Sequence, residues 1–131
     1  MTPGGPLSAS LSSDHITLTG LRARAHHGVF EHERRDGQEF VIDVTVWLDL
    51  SVSASGDDLG KTIHYGELAN EVVAAVERDP VDLIETVAQR IADTVLAHEP
   101  ATAVRVTLHK PSAPIEVPFG DVSVTITRLR A

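Results

Sequence analysis

Between Gln38 and Leu50 the chain reads QEFVIDVTVWLDL, an alternation that fits a β-strand and does not fit a helix. Phe40, Ile42, Val44, Val46, Leu48 and Leu50 fall on one face without a polar interruption. That face requires a cover. The opposite face, Val41, Asp43, Thr45, Trp47 and Asp49, is mixed instead of plainly solvent-facing, which suits partial contact with another protein surface. At about 3.3 Å per residue the stretch from Phe40 to Leu50 would span roughly 36 Å, longer than most strands. A strand of that reach in a short chain predicts a sheet continued across subunits.

A looser alternation marks Asp14–Ala25 as a first strand, with Ile16, Leu18, Leu21, Ala23 and Ala25 as its apolar set. The change of phase at Thr19-Gly20 predicts a bulge. His26–Gly37 (HHGVFEHERRDG) is a charged connection too long for a two-residue hairpin turn, and long loops between paired strands often carry function. Ser51–Lys61 reads as a polar link.

From Tyr65 the period changes. Leu68, Ala69, Val72, Ala75 and Val76 recur at three and four, predicting an amphipathic helix that ends before Asp79-Pro80. A second helix is expected from about Val81 to His98, with Ile84, Val87, Ala88, Ile91, Ala92, Val95 and Leu96 on its inner arc. Asp79 followed by Pro80 offers one start, and Asp82 with Glu85 three residues later offers a competing capping box; Pro100 stops the helix. Val104, Val106 and Leu108 form a third strand, and Val122, Val124, Ile126 and Leu129 a fourth. Lys110–Gly120 (KPSAPIEVPFG) carries three prolines and is expected to be irregular. The order is ββααββ, which predicts an α+β fold with an antiparallel four-stranded sheet and both helices on one face.

The 131 residues suffice for one domain, read as 14–131, behind a Pro-, Gly- and Ser-rich flexible tail, Met1–Ser13. Eleven Lys and Arg against nineteen Asp and Glu give a formal charge of −8 with no basic block, which argues against nucleic acid and anionic membrane as partners. The absence of cysteine removes disulfides, thiolate metal sites and a thiol nucleophile. No secretory signal and no membrane-length apolar run is read, so the expectation is a soluble, cytoplasmic protein.

Four residues could carry chemistry. On a helical wheel Glu85 projects between Ala92 and Leu96, inside the apolar arc. It either caps a helix start, where negative charge is favoured, or anchors a ligand by accepting two parallel hydrogen bonds from an amide-and-amine edge such as a guanine-like or pterin ring. Lys110, where strand three meets the proline loop, is either a solvated charge or a proton shuttle beside apolar walls. Tyr65, the only tyrosine, is either core with its hydroxyl in water or a phenol that exchanges a proton with a substrate hydroxyl. Glu33 is either a solvated loop glutamate or part of a site. His26, His27, His32, His64 and His109 lie near strand ends, but no His pair with a carboxylate at ligand spacing is evident, so no metal is expected. No nucleophile-elbow, phosphate-loop or dinucleotide fingerprint is present.

Taken together, ITLTGLRARAHHGVFEHERRDGQEFVIDVTVWLDL, DDLGKTIHYGELA, DLIETVAQRIA, VTLHKPSAPI and FGDVSVTITR resemble the dihydroneopterin aldolases of the tunnelling fold, in the right order and spacing from Asp14 to Arg128. The resemblance implies a ββααββ protomer, four copies closing a barrel of about sixteen strands and two such rings stacking as a homo-octamer, with active sites at subunit interfaces. It implies that Glu85 and the Ile84 backbone anchor the pterin and that Lys110 transfers protons. Tyr65 would come from the neighbouring subunit, with Glu33 completing the site. It implies retro-aldol cleavage of 7,8-dihydroneopterin in folate biosynthesis without cofactor, metal or Schiff base; 2′-epimerisation, an oxygenase side reaction and non-catalytic pterin binding are the alternatives. Three residues depart from the family pattern: Lys61, often acidic; Glu116, usually proline; and Gly120, often bulkier. These bear on affinity and pocket shape.

Overall fold

The computed structural model describes residues 13–130; the expected tail, apart from Ser13, lies outside them. The first strand, β1 (His15–Ala25), pairs antiparallel with β2 (Gln38–Trp47), and the register shifts between Leu18 and Leu21. The predicted bulge is there, with Gly20 at φ 70° and its N–H donating to Asp43 Oδ1 at 2.8 Å. A glycine takes that backbone conformation without strain.

The long charged connection His26–Gly37 contains a short helix, α1 (Glu31–Asp36), ended by Gly37 at φ 73°. The polar link likewise folds into α2 (Ser51–Gly56) and a 3-10 turn at Leu59–Lys61. Then come the two predicted helices, α3 (Tyr65–Glu77) and α4 (Ile84–Leu96), followed by β3 (Ala103–His109) and β4 (Ser123–Leu129). The sheet runs β1-β2-β3-β4, antiparallel throughout, so β1 and β4 are its open edges.

The alternation of β2 determines where the core lies. Phe40, Ile42, Val44 and Val46 are buried against Leu68, Val72 and Val76 of α3 and Val87, Ile91 and Val95 of α4, which cover one face of the sheet. Each such side chain contributes about 1.5–3 kcal/mol relative to exposure. The strand is shorter than its apolar pattern: it ends at Trp47, and Leu48, still buried, leads out of the sheet towards α2. On the opposite face Arg105 lies over the Trp47 ring at 5.3 Å, and Thr107 and Thr125 hydroxyls are 2.9 Å apart.

Neither acidic start proposed for the second helix is used; its N-cap is Leu83. Asp79 sits at φ 42°, in the turn that ends α3, and the Asp82 carboxylate is taken by Arg34 at 2.6 Å. A carboxylate already held by a guanidinium 48 positions away does not cap its own helix. Val122, expected in the fourth strand, precedes it, its carbonyl accepting the Lys110 N–H at 2.8 Å. Among the described residues no helix is long and apolar enough to cross a membrane.

Candidate active site

Lys110 follows the last residue of β3 and, two positions after buried Leu108, shares that residue's face of the sheet. Its Nζ lies 2.6 Å from Glu33 Oε2, and both groups are buried, Lys110 at 9% and Glu33 at 3% exposure. The structure therefore joins two of the residues singled out in the sequence. Glu33 sits in the first turn of α1 and also accepts from Gln38 Nε2 at 3.0 Å and from the Phe30 N–H at 3.2 Å. Burial pushes its pKa up, but the Lys110 ammonium and these donors outweigh burial, and the net shift is downward. Glu33 is thus a carboxylate at neutral pH.

Two neighbours of this pair were missed in the sequence. Gly28, at φ 148°, lies so close to the Glu33 carboxyl that a Cβ there would stand 2.3 Å from it. Only glycine fits. Gln38, the first residue of β2, is buried, and its Oε1 has no partner among the described residues, leaving an acceptor beside the ion pair. Its polarity at an otherwise apolar alternation was the available signal.

The same loop holds the approach to α4. The Gly28 N–H donates to the Val81 carbonyl at 2.9 Å, and Arg34 donates from Nε to the Gly28 carbonyl at 2.9 Å and from Nη2 to Asp82 Oδ1 at 2.6 Å. Three residues on, Glu85 stands in the first turn of α4. Its expected place inside a buried arc is corrected: Glu85 is exposed and makes no hydrogen bond or ion pair within the described chain. The arc does face the sheet, but its buried residues begin only at Val87, and Leu83 before it is 50% exposed. The first turn overhangs the covered region, with Ile84 half-buried beside Glu85.

Tyr65 opens α3 and is 64% exposed. It lines a cleft of about 540 Å³ with Ile16, Leu18, Leu59, Ile63 and His64. Neither Glu33, Glu85 nor Lys110 lines that cleft. Leu18 pairs with Val44, whereas His109, the residue before Lys110, pairs with Val41 and so sets Lys110 level with Phe40, which puts the two regions about 13 Å apart along β2. One protomer does not bring Tyr65 to Lys110.

The histidines serve the fold. His27 is fully buried between the Val76 carbonyl and the Val81 N–H. His109 lies 2.7 Å from Asp121 and 2.8 Å from Asp43, which raises its pKa against a smaller effect of burial. His26 contacts the Arg34 carbonyl, His32 stacks on Phe30, and His64 Nδ1 accepts the Glu67 N–H at the start of α3. No cluster of three or more potential ligands suited to a metal occurs among the described residues. Lys61, Glu116 and Gly120, the three departures, are all exposed.

The dihydroneopterin aldolase (FolB) family model matches residues 16–127. The chain is 56% identical to the dihydroneopterin aldolase of Streptomyces coelicolor over 117 residues, covering 89% of this chain and 98% of that one. Among solved structures, Escherichia coli dihydroneopterin aldolase in complex with neopterin superposes with a TM-score of 0.80 at 30% identity, over 88% of this chain and 98% of that one. The Burkholderia thailendensis dihydroneopterin aldolase bound to guanine gives a TM-score of 0.73 at 26% identity, over 90% and 92% of the two chains. With a family match over most of its length and a curated relative more than half identical, the chain belongs to the dihydroneopterin aldolase family.

Proposed function

We propose that the buried Lys110–Glu33 pair performs the proton transfers of retro-aldol cleavage of 7,8-dihydroneopterin, giving 6-hydroxymethyl-7,8-dihydropterin and glycolaldehyde. The observation that carries this reading is the 2.6 Å ion pair set beside an unpartnered amide oxygen, a donor-acceptor group in a protected position. The substrate supplies its own electron sink. Once N5 is protonated, the ring's C6=N5 imine accepts the electron pair of the C1′–C2′ bond as it breaks. The protein must remove the proton of the 2′-hydroxyl and return one to the enamine carbon. Lys110 and Tyr65 handle these transfers, while Glu33 orients the triol and Gln38 Oε1 accepts from a hydroxyl donor.

The anchor is Glu85. A carboxylate with no partner among the described residues, next to the Ile84 backbone, matches the amine and ring N–H that neopterin and guanine share, the molecules bound in the two solved relatives. Two open sheet edges and the separation of Tyr65 from Lys110 support a homo-oligomeric ring in which the neighbouring copy supplies Tyr65. Stacking of two rings into an octamer, and work in the cytoplasm without cofactor, nucleic acid or membrane, complete the reading. Incubation of purified protein with 7,8-dihydroneopterin, without added metal, followed by chromatography tests it. The expected result is equimolar hydroxymethyl pterin and glycolaldehyde. Accumulation of the 2′ epimer with little free aldehyde would assign epimerisation instead, and unchanged substrate would overturn both.

A further inference from the structure

His27 and Gly28 form a junction between the two parts of the site, and His27 is the half no part of the reaction uses. Its ring is fully buried, edge-on to Phe40 with ring centroids 5.7 Å apart. Nε2 lies 2.5 Å from the Val76 carbonyl, a terminal acceptor of α3, and Nδ1 receives the Val81 N–H at 3.1 Å. A carbonyl accepts and an N–H donates, so the ring is the neutral tautomer with its proton on Nε2. The next residue closes the same strap: the Gly28 N–H donates to the Val81 carbonyl while Gly28 makes room for Glu33. Val81 is thereby held through both its N–H and its carbonyl, three and four residues before Ile84 and Glu85.

From this geometry we infer that His27 is a positioning residue, which sets the first turn of α4, and with it the Glu85 carboxylate, against the Glu33–Lys110 pair. The inference rests on Glu85 being the pterin anchor. A protonated ring would turn Nδ1 into a donor facing the Val81 N–H, two donors opposed, and would release the strap. The charged surroundings resist that. Arg90 of α4, which donates to the Ala75, Arg78 and Asp79 carbonyls, Arg34 of α1, itself paired with Asp82, and adjacent His26 all disfavour a further cation at His27. Burial, the largest effect, and these charges lower the His27 pKa despite the Val76 contact.

The test compares the full-length wild type with His27→Asn, His27→Leu and Glu85→Ala, reading neopterin affinity by pterin fluorescence across neutral to acidic pH and kcat and KM on 7,8-dihydroneopterin. Asparagine keeps an acceptor near the Nδ1 position and cannot titrate; leucine removes the acceptor. His27→Leu is expected to weaken neopterin binding and raise KM about tenfold with kcat within about threefold. His27→Asn should bind within about threefold of wild type at neutral pH, and should lose less of its neopterin affinity than wild type as the pH is lowered. Equal affinity of His27→Leu and wild type, or an acid profile of His27→Asn that superimposes on wild type, overturns the role of His27. Should His27→Leu fail to fold, the acid profile of His27→Asn alone decides. Glu85→Ala separates the two levels: undiminished neopterin binding there refutes the anchor itself, whereas weakened binding there with unaffected His27 variants refutes only the strap.

Discussion

The carboxyl of Glu33 occupies the space where any residue but glycine at position 28 would place its Cβ, 2.3 Å from the carboxyl carbon and from Oε1. Gly28→Ala therefore carries two penalties. Its backbone sits at φ 148°, where an L side chain costs about 1–3 kcal/mol, and the methyl expels Glu33 from its contact with Lys110. A displacement of about 1 Å at the chemistry costs about 10²-fold in rate. The expected outcome is a variant with a lowered Tm and a kcat reduced by about that factor. Wild-type kcat in a folded Gly28→Ala protein would show that the Glu33 position does not matter to turnover.

Lys110 and Glu85 should fail in different ways. Removing the ammonium in Lys110→Ala eliminates the proposed proton-transfer group, with an expected loss of kcat of about 10²–10⁴-fold, while the proposed anchor, on another element, keeps pterin affinity close to wild type. It also leaves Glu33 buried without its cation, a change that destabilises by about 3–5 kcal/mol when a buried pair is broken from one side. Thermal melts must accompany the kinetics. Glu85→Ala, at an exposed position, should instead fold normally, raise KM and the neopterin dissociation constant, and leave stability within about 0.5 kcal/mol of wild type. Identical kinetic defects in the two variants would argue against separate roles.

The alternation of β2 and the three-and-four spacing of α3 and α4 were legible because each element buries one face, and burial is what writes a period into a sequence. The same logic located the bulge at Thr19-Gly20, where the phase of β1 slips. It could not locate α1 or α2. These six-residue helices bury almost nothing, Glu33 being the one buried residue of the pair, and so carry no apolar period. Nor could it place the start of α4, because Asp79 and Asp82 are committed to a turn and to Arg34, partners distant in sequence. The candidate site was half visible. Its charged members stand out by residue type, but the reasons for Gly28, Gln38 and His27 are contacts with a loop, a carboxylate and two helix ends that only the folded chain assembles.

The contribution of His109 to stability is expected to be lost as pH rises. Its two carboxylate partners, Asp121 and Asp43, raise its pKa in the folded chain above the ordinary value, with burial opposing them. The charged form is bound more tightly in the folded state. This contribution is complete below the unfolded value of about 6.5 and disappears as pH rises through the raised folded value. His27 has the opposite sign: its lowered pKa gives a contribution present above about 6.5 and lost as pH falls through the folded value. Melting curves of wild type and His109→Asn should therefore differ most on the acidic side of neutrality and converge towards alkaline pH. A difference that grows with rising pH would reverse the assignment.

The distance between the Tyr65 cleft and the Lys110 pair makes a prediction that a single protomer cannot satisfy. If Tyr65 works on the Lys110 of an adjacent copy, a Tyr65→Ala subunit retains a good Lys110 and a Lys110→Ala subunit retains a good Tyr65. Each homo-oligomer is deficient. Mixed in equal amounts, unfolded and refolded together, they should form rings in which about one quarter of interfaces receive both wild-type groups, because the pairing of adjacent subunits is random and each interface is read in one direction. Activity should return to about a quarter of wild type, with the mixture eluting as an oligomer. No recovery from a demonstrably mixed ring would mean that Tyr65 and Lys110 act from the same chain, while an active Tyr65→Ala homo-oligomer would mean that Tyr65 takes no part; in either case the edge-to-edge ring inferred from β1 and β4 would lose its chemical purpose.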